Sequence, residues 1–382
     1  QSVGSLLLSG RRQPENVYRV KGARPTAEVA GRAERTETPT VGRESEWAQL
    51  TEEGERTAGG AFSVVCVAGP PGIGKSRLIA EWQRSPQARG FRSVPLGCHA
   101  FGEHFPLLPV VDLVTRLVGV RLDGWPPRVS GDLETAVSGL PLGADERTVL
   151  RQLLVNVGSP ADDVTGEWRS QLCAALQSLL RTVCSQRPLC VILEDVHWID
   201  ESSRAILTEA LAARDLGGML LLLSARDPGD AWPEQLLRAR IIRLAPLSRS
   251  AMEQLIGRWA APTALPRETV RALGDRAQGH PYFARELVRA LRRSGSEGLA
   301  AEASLPNTLQ ELFLAQLDSL PRVVRHLVQS ASVVGEPLSA SLLQAAMAEE
   351  AHLAFSALTE AVGQGLLRAG PAQGQFSYAR RL

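Results

Sequence analysis

The run Gly69, Pro70, Pro71, Gly72, Ile73, Gly74, Lys75, Ser76 joins a loop of small side chains to one ammonium group and one hydroxyl at fixed spacing. It meets G-x-x-x-x-G-K-[ST] at Gly69, Gly74, Lys75 and Ser76. Backbone N–H groups of such a loop can wrap phosphate oxygens, and a helix beginning there adds the positive end of its dipole. Lys75 would bridge the β and γ phosphates of a nucleotide, and the Ser76 hydroxyl would hold Mg²⁺. The competing reading is a chance glycine turn. The context decides against it, because "AFSVVCVAG" precedes the loop as a buried strand and "GKSRLIAEWQ" continues it as a helix.

A second group lies in "PLCVILEDVHWID", an apolar strand ending in Glu194 and Asp195. An acid at a strand end beside a phosphate loop can bind Mg²⁺ through water and polarise an attacking water. Adjacent residues point to opposite sides of an extended strand, so one of the two faces the metal unless the chain turns there. Which acid binds metal and which acts as base stays open. A third strand, "GMLLLLSAR", ends in Ser224 and Arg226. Ligands of a parallel sheet lie beyond the carboxyl ends of its strands, which makes Arg226 a candidate phosphate sensor. Its other reading is a surface pair with Asp227 or Asp230. His197 reads as a structural histidine first and a switch second, and His99 and His104 are loop histidines without an assigned role. Trp47, Trp82 and Trp198 read as core or interface aromatics rather than stacking platforms.

These groups must be positioned by the surrounding elements. "VGRESEWAQL" predicts a helix, "FRSVPLGCHA" a strand and "PLLPVVDLVTRLVG" a helix. Residues 120 to 165 hold Gly/Pro turns and short helical pieces that the pattern does not place. In "EWRSQLCAALQSLLRTVCSQR" Leu172, Leu176, Leu179 and Leu180 share one helical face. "ESSRAILTEALAARDL" predicts a further helix and "IIRLAPL" a fourth strand. Strands apolar on both faces that alternate with helices imply an α/β fold, a parallel sheet with helices on both faces. After Leu247 the patterns turn helical, and "QFSYARRL" closes the chain as a candidate strand. The working segments are a tail and linker (1–40, with "NVYRV" strand-like), a phosphate-loop core (41–246), a helical lid (247–300) and a last domain (301–382).

Composition narrows the class. The chain has 382 residues, enough for two or three domains. Its 44% hydrophobic and 22% charged residues are those of a globular protein, and no apolar run reaches transmembrane length. "SLLLSG" is too short for a signal-peptide core, so the cytoplasm is the expected location. A net charge of +1 supplies no global field for DNA or an anionic membrane. Lys21 and Lys75 are its lysines among 42 basic residues, so arginine dominates the surface and the lysine in the loop stands out. The cysteines, Cys66, Cys98, Cys173, Cys184 and Cys190, form no CxxC pair and read as small buried apolar residues.

"TPTVGRESEWAQL", "GPPGIGKSRLIAEW", "LEDVHWID", "LLSARDPGD", "LAPLSRSAMEQLI", "GHPYFARELVRAL" and "LPNTLQELFLAQLDSLP" stand in an order that resembles bacterial signal-transduction ATPases of the STAND class, with an origin-recognition-like AAA module. The resemblance runs from about residue 39 to the end and is specific as a set. It implies a P-loop NTPase sheet, a helical lid and a winged-helix-like domain. It places Val41, Gly42 and Arg43 near the adenine and Gly279 to Pro281 in the lid's glycine-x-proline element. With Gly69 to Ser76 and Arg77, these residues make up the implied nucleotide site. ATP and Mg²⁺ are the implied ligands, with slow hydrolysis and protein partners or fused signalling domains.

Such modules follow a class III nucleotide cyclase domain or precede a LuxR-type DNA-binding domain. "PENVYRVKGARP" resembles the segment after a cyclase domain, although the chain carries no cyclase core. In the family, relatives continue beyond the point matching "FSYARRL" into a helix and helical repeats, so the last domain is expected to be truncated. Ile199 replaces an alanine of the family pattern, and "SAR" stands where "TYR" is usual. The rival reading is a DNA-acting protein, which needs a basic recognition helix. Helical stretches such as "QAAMAEEAHLAF" are apolar and acidic, which favours contact with protein over DNA.

Overall fold

A computed structural model describes residues 2–6, 15–18, 40–98, 106–123, 128–157, 166–212, 216–227, 229, 239–261, 265–294, 308–318, 320–334, 338–363, 366–369 and 375–378. His99, His104 and Asp230 lie outside them. The chain divides into two units, Gln1–Pro39 and Thr40–Leu382. In the first, β1 (Ser2–Leu6) pairs antiparallel with β2 (Glu15–Tyr18), Gly4 facing Val17 and Leu6 facing Glu15. The sequence predicts one strand here. "SVGSL" was missed because five residues with a glycine give little periodic signal.

In the second unit α1 (Glu44–Ala58) carries Glu44 and Glu46 in its first turn, where the helix dipole favours them. It leads into β3 (Ser63–Ala68), buried throughout. The glycine loop and α2 (Lys75–Arg84) follow, then β4 (Arg92–Gly97) and α3 (Leu108–Val118). The stretch the pattern could not place forms an antiparallel hairpin, β5 (Arg121–Asp123) with β6 (Arg128–Ser130). It also forms α4 (Leu133–Ser138), whose Asp132 cap accepts from the Thr135 N–H, and α5 (Ala144–Val155). Then come α6 (Gly166–Gln186), β7 (Leu189–Glu194), α7 (Glu201–Ala212), β8 (Met219–Ala225) and β9 (Arg240–Arg243).

Five parallel strands form one sheet in the order β4-β7-β8-β3-β9. Successive side chains of a strand face opposite sides. Val64, Cys66 and Ala68 of β3 therefore join a core with Leu172, Leu176, Leu179 and Leu180 of α6, while Val65 and Val67 join Leu50 of α1 and Leu78, Ile79 and Trp82 of α2. Trp82 packs against Phe91 with ring centroids 5.7 Å apart. Each such fully buried aliphatic side chain contributes about 1.5–3 kcal/mol against exposure. The sheet is thus clamped from both faces. Its central strands β7, β8 and β3 bring Asp195, Arg226 and the glycine loop to neighbouring strand ends.

The helical segment comprises α8 (Arg249–Ala260), capped by Ser248, α9 (Arg267–Ala277) and α10 (Pro281–Ser294). Its own core includes Ile256, Leu273, Ala284 and Leu287, and Val41 from the front of the unit enters it. The last part contains α11 (Leu309–Asp318), α12 (Arg322–Val334), β10 (Leu338–Ser339), α13 (Ala340–Ala346), α14 (Ala354–Gly363), β11 (Leu367–Ala369) and β12 (Gln375–Tyr378). The strands pair antiparallel in the order β10-β12-β11 beside a core of Leu327, Ala331, Leu343 and Leu358. Among the described residues no helix is long and apolar enough to cross a membrane.

Candidate functional site

The glycine loop leaves β3 where the Gly69 N–H donates to the Ala225 carbonyl of β8, at 3.3 Å. Gly72 and Gly74 show why the loop is built from glycine. Gly72 has φ +76°, and a Cβ there would come within 2.9 Å of Tyr282 Cβ. Gly74 has φ +112° in open space, so backbone conformation alone demands it. Gly74 is also the N-cap of α2, and no side chain caps that helix. The first-turn N–H groups and the dipole therefore form the cradle that suits an anion. Pro70, Pro71, Gly72 and Ser76 are exposed around it, while Ile73 is buried and anchors the loop in the core beneath.

Lys75, 8% exposed, turns back over the loop. Its Nζ donates to the Gly69 carbonyl at 2.8 Å and to the Pro70 carbonyl at 3.2 Å. Burial holds its pKa below that of an ordinary lysine; the Asp195 carboxylate opposes the shift, the Arg226 guanidinium adds to it and Cys66 opposes it slightly. Lys75, Asp195 and Arg226 thus share one electrostatic neighbourhood.

The two carboxylates part company. Glu194 ends β7 opposite Gly97, and its carbonyl accepts from the Cys98 N–H at 3.1 Å. Asp195 leaves the strand in a left-handed conformation, φ +55° and ψ +48°, before the 3₁₀ turn Val196–Trp198. The chain therefore turns at the point on which the sequence reading hinged, and Asp195 is the acid whose charge reaches Lys75. Its N–H donates at 2.9 Å to the hydroxyl of Ser224, which is fully buried on β8. A non-glycine residue in this region costs about 1–2 kcal/mol, which one net hydrogen bond of about 0.5–1.5 kcal/mol largely offsets. Arg226 is exposed in the bend after β8.

Residues remote in sequence brace the site. Arg43, 6% exposed, donates to the Ile73 carbonyl at 3.3 Å and to Glu46 at 3.0 Å. The Thr40 N–H donates to both Glu81 carboxylate oxygens at 3.1 Å, its hydroxyl also meets Glu81, and Arg77 lies 3.8 Å from the same carboxylate. Gly42 runs so close to α8 that a Cβ would meet Ala251 Cβ at 2.8 Å. The segment 40–43 therefore touches both the loop helix and the helical segment. Pro281 starts α10, and the next residue's N–H, that of Tyr282, donates to the Gly72 carbonyl at 3.3 Å. Behind it the Gly279 carbonyl accepts from the Leu247 N–H at 2.8 Å.

Sequence reading did not find Glu81, Tyr282 or the hydroxyl-to-backbone bond of Ser224, because each depends on a partner far along the chain. Asp200 was missed too, although an acid immediately before a helix is an N-cap signal. It is buried, and its Oδ1 accepts from the Ser203 N–H at 2.8 Å and the Leu107 N–H at 3.1 Å, tying the starts of α7 and α3 together. His197 is half-buried with its ring centroid 5.1 Å from that of Trp198.

The donor set fits a phosphate-bound Mg²⁺. That ion prefers hard oxygen ligands, takes one or two from protein and completes its shell with phosphate and water. Ser76 and the strand-end acid supply such oxygens.

Known proteins resemble this chain at several levels. An uncharacterized protein of Rhizobium meliloti (strain 1021) is 27% identical over 361 residues, which cover 90% of this chain and 34% of that protein. The chain therefore spans about a third of that relative's length. The signal transduction ATPase with numerous domains and a tetratricopeptide repeat sensor from Pyrococcus horikoshii shares 15% identity at TM-score 0.47, covering 88% of this chain and 41% of that one. Cdc6p from Pyrobaculum aerophilum shares 12% identity at TM-score 0.45, covering 90% and 91%. Residues 39–223, from the segment before α1 into β8, match the family described as the AAA ATPase domain.

Proposed function

We propose that the chain is an ATP-dependent switch that binds ATP with Mg²⁺ and hydrolyses it slowly. The observation that carries this reading is the meeting of Lys75, Asp195 and Arg226 beside the uncapped start of α2, with the helical segment resting on the loop through Tyr282 and Gly72. Backbone N–H groups from Gly72 to Ser76 hold the phosphates. Lys75 moves its ammonium from the Gly69 and Pro70 carbonyls to the β and γ phosphates, and its low exposure strengthens that contact. Ser76 and Asp195 would hold Mg²⁺, which would supply charge neutralisation at the phosphates. Asp195 or Glu194 orients water for attack on the γ-phosphorus; the bond to the bridging oxygen breaks, the carboxylate takes the water's proton, and ADP and inorganic phosphate leave. Arg226 senses the γ-phosphate, and Val41, Gly42, Arg43 and Pro281 border the rest of the nucleotide.

Loss of the γ-phosphate releases the hold of the loop on the lid, as in other phosphate-dependent switches. The working parts are a core (41–246), a lid (247–300) and a winged-helix-like domain (301–382) that contacts protein. We take the chain as a regulatory segment of a larger bacterial signalling protein, following a nucleotide cyclase domain. The resemblance of "PENVYRVKGARP" supports the cyclase neighbour, and the much longer Rhizobium relative supports a larger protein. Equilibrium ATP binding and ADP formation over hours, for wild type and Lys75→Ala in Mg²⁺, test the switch. Binding with slow, Lys75-dependent turnover supports it, and equal binding by the two proteins removes it.

A further inference from the structure

Asp195 is held at positive φ by a contact from outside its own segment. β8 lies between β7 and β3 and serves both neighbours at its carboxyl end. The Ala225 carbonyl accepts the N–H of Gly69, where the phosphate loop begins, and the Ser224 hydroxyl accepts the N–H of Asp195, where the acidic strand turns. The regular β7-β8 ladder runs up to Leu193 opposite Leu223. One step further, a side chain takes the place of a backbone acceptor. Val67 of β3 pairs with Ser224 on the other side, and Ser224 is fully buried, so its hydroxyl lies inside the sheet's end.

Resting on the nucleotide-switch reading, we propose that Ser224 is a positioning residue: its hydroxyl fixes the left-handed turn at Asp195 and thereby aims the carboxylate at the Lys75 and Mg²⁺ position. An extended Asp195 would continue the strand and carry its carboxylate to the other side from Glu194. The turn redirects it. Ser224 acts through Asp195 and does not touch phosphate.

The test uses the full chain in two states. Without nucleotide, hydrogen–deuterium exchange of a peptide spanning Asp195 should be about tenfold faster in Ser224→Ala, the scale expected for loss of one hydrogen bond. Ser224→Thr, which keeps the hydroxyl, should exchange as wild type does. Ser224→Cys keeps the volume with a weak acceptor and should fall between, a second variant should alanine not fold. With nucleotide, the tightening of ATP binding by Mg²⁺ should fall roughly tenfold in Ser224→Ala and return in Ser224→Thr. In an Asp195→Asn background, Ser224→Ala should add nothing further, since both changes act on one carboxylate. Exchange unchanged in Ser224→Ala, or losses that multiply in the double variant, would overturn the proposal. A wild type that binds no ATP would remove the nucleotide reading instead, with the exchange result still judging the turn.

Discussion

The glycine loop and the acidic strand end lie at neighbouring strand ends but are built by opposite means. The loop obtains its positive-φ positions from glycines, Gly69, Gly72 and Gly74, whose conformations need no outside support. The acidic end places an aspartate at φ +55° and relies on Ser224, 29 residues away, to hold it. A site made from glycine tolerates changes around it but not in it. One made from a braced aspartate is sensitive to its brace as well.

Breaking the loop side should give the largest effect. Gly72→Ala forces a Cβ into positive φ and to within 2.9 Å of Tyr282 Cβ. ATP affinity, measured by titration calorimetry, should fall about a hundredfold. Affinity within a few fold of wild type would show that the loop's shape is not fixed by Gly72.

The acidic side divides more sharply than its two adjacent carboxylates suggest. Asp195→Asn should lower the turnover rate on the order of a hundredfold, while Glu194→Gln should stay within about tenfold, because the Asp195 charge acts on Lys75. Steady-state ADP release separates them. A reversed order would make Glu194 the working acid.

The smallest effect concerns stability alone. Glycine accepts φ +55° without a Cβ penalty, so Asp195→Gly should be about 1 kcal/mol more stable than Asp195→Ala. Urea unfolding of the two variants measures the difference. Equal stability would mean that the turn relaxes once the carboxylate is gone.

The same contrast explains what was legible in the sequence. Gly69 to Ser76 could be read because their chemistry, spacing and strand-to-helix setting are local. Leu172, Leu176, Leu179 and Leu180 could be read because helical periodicity is local too, and all four are fully buried. The strands could be recognised one by one, but not that β3 sits between β8 and β9, since strand order is set by contacts between distant segments. The hairpin β5-β6 escaped because its strands have three residues each, too few to show alternation. The turn at Asp195 escaped because nothing beside it calls for positive φ. As a site residue Arg43 is legible through family resemblance, and its bond to the Ile73 carbonyl explains why an arginine suits that place: a buried guanidinium ties the segment before α1 to the loop.

In the proposed switch the γ-phosphate changes the hold of the loop on the helical segment. Hydrogen–deuterium exchange of the segment from Gly279 to Arg285, whose Tyr282 N–H meets the Gly72 carbonyl, measures this directly in Mg²⁺ with ATP and then with ADP. Protection should differ between the two states, with Lys75→Ala showing no difference. Equal protection with ATP and ADP bound to wild type would contradict it.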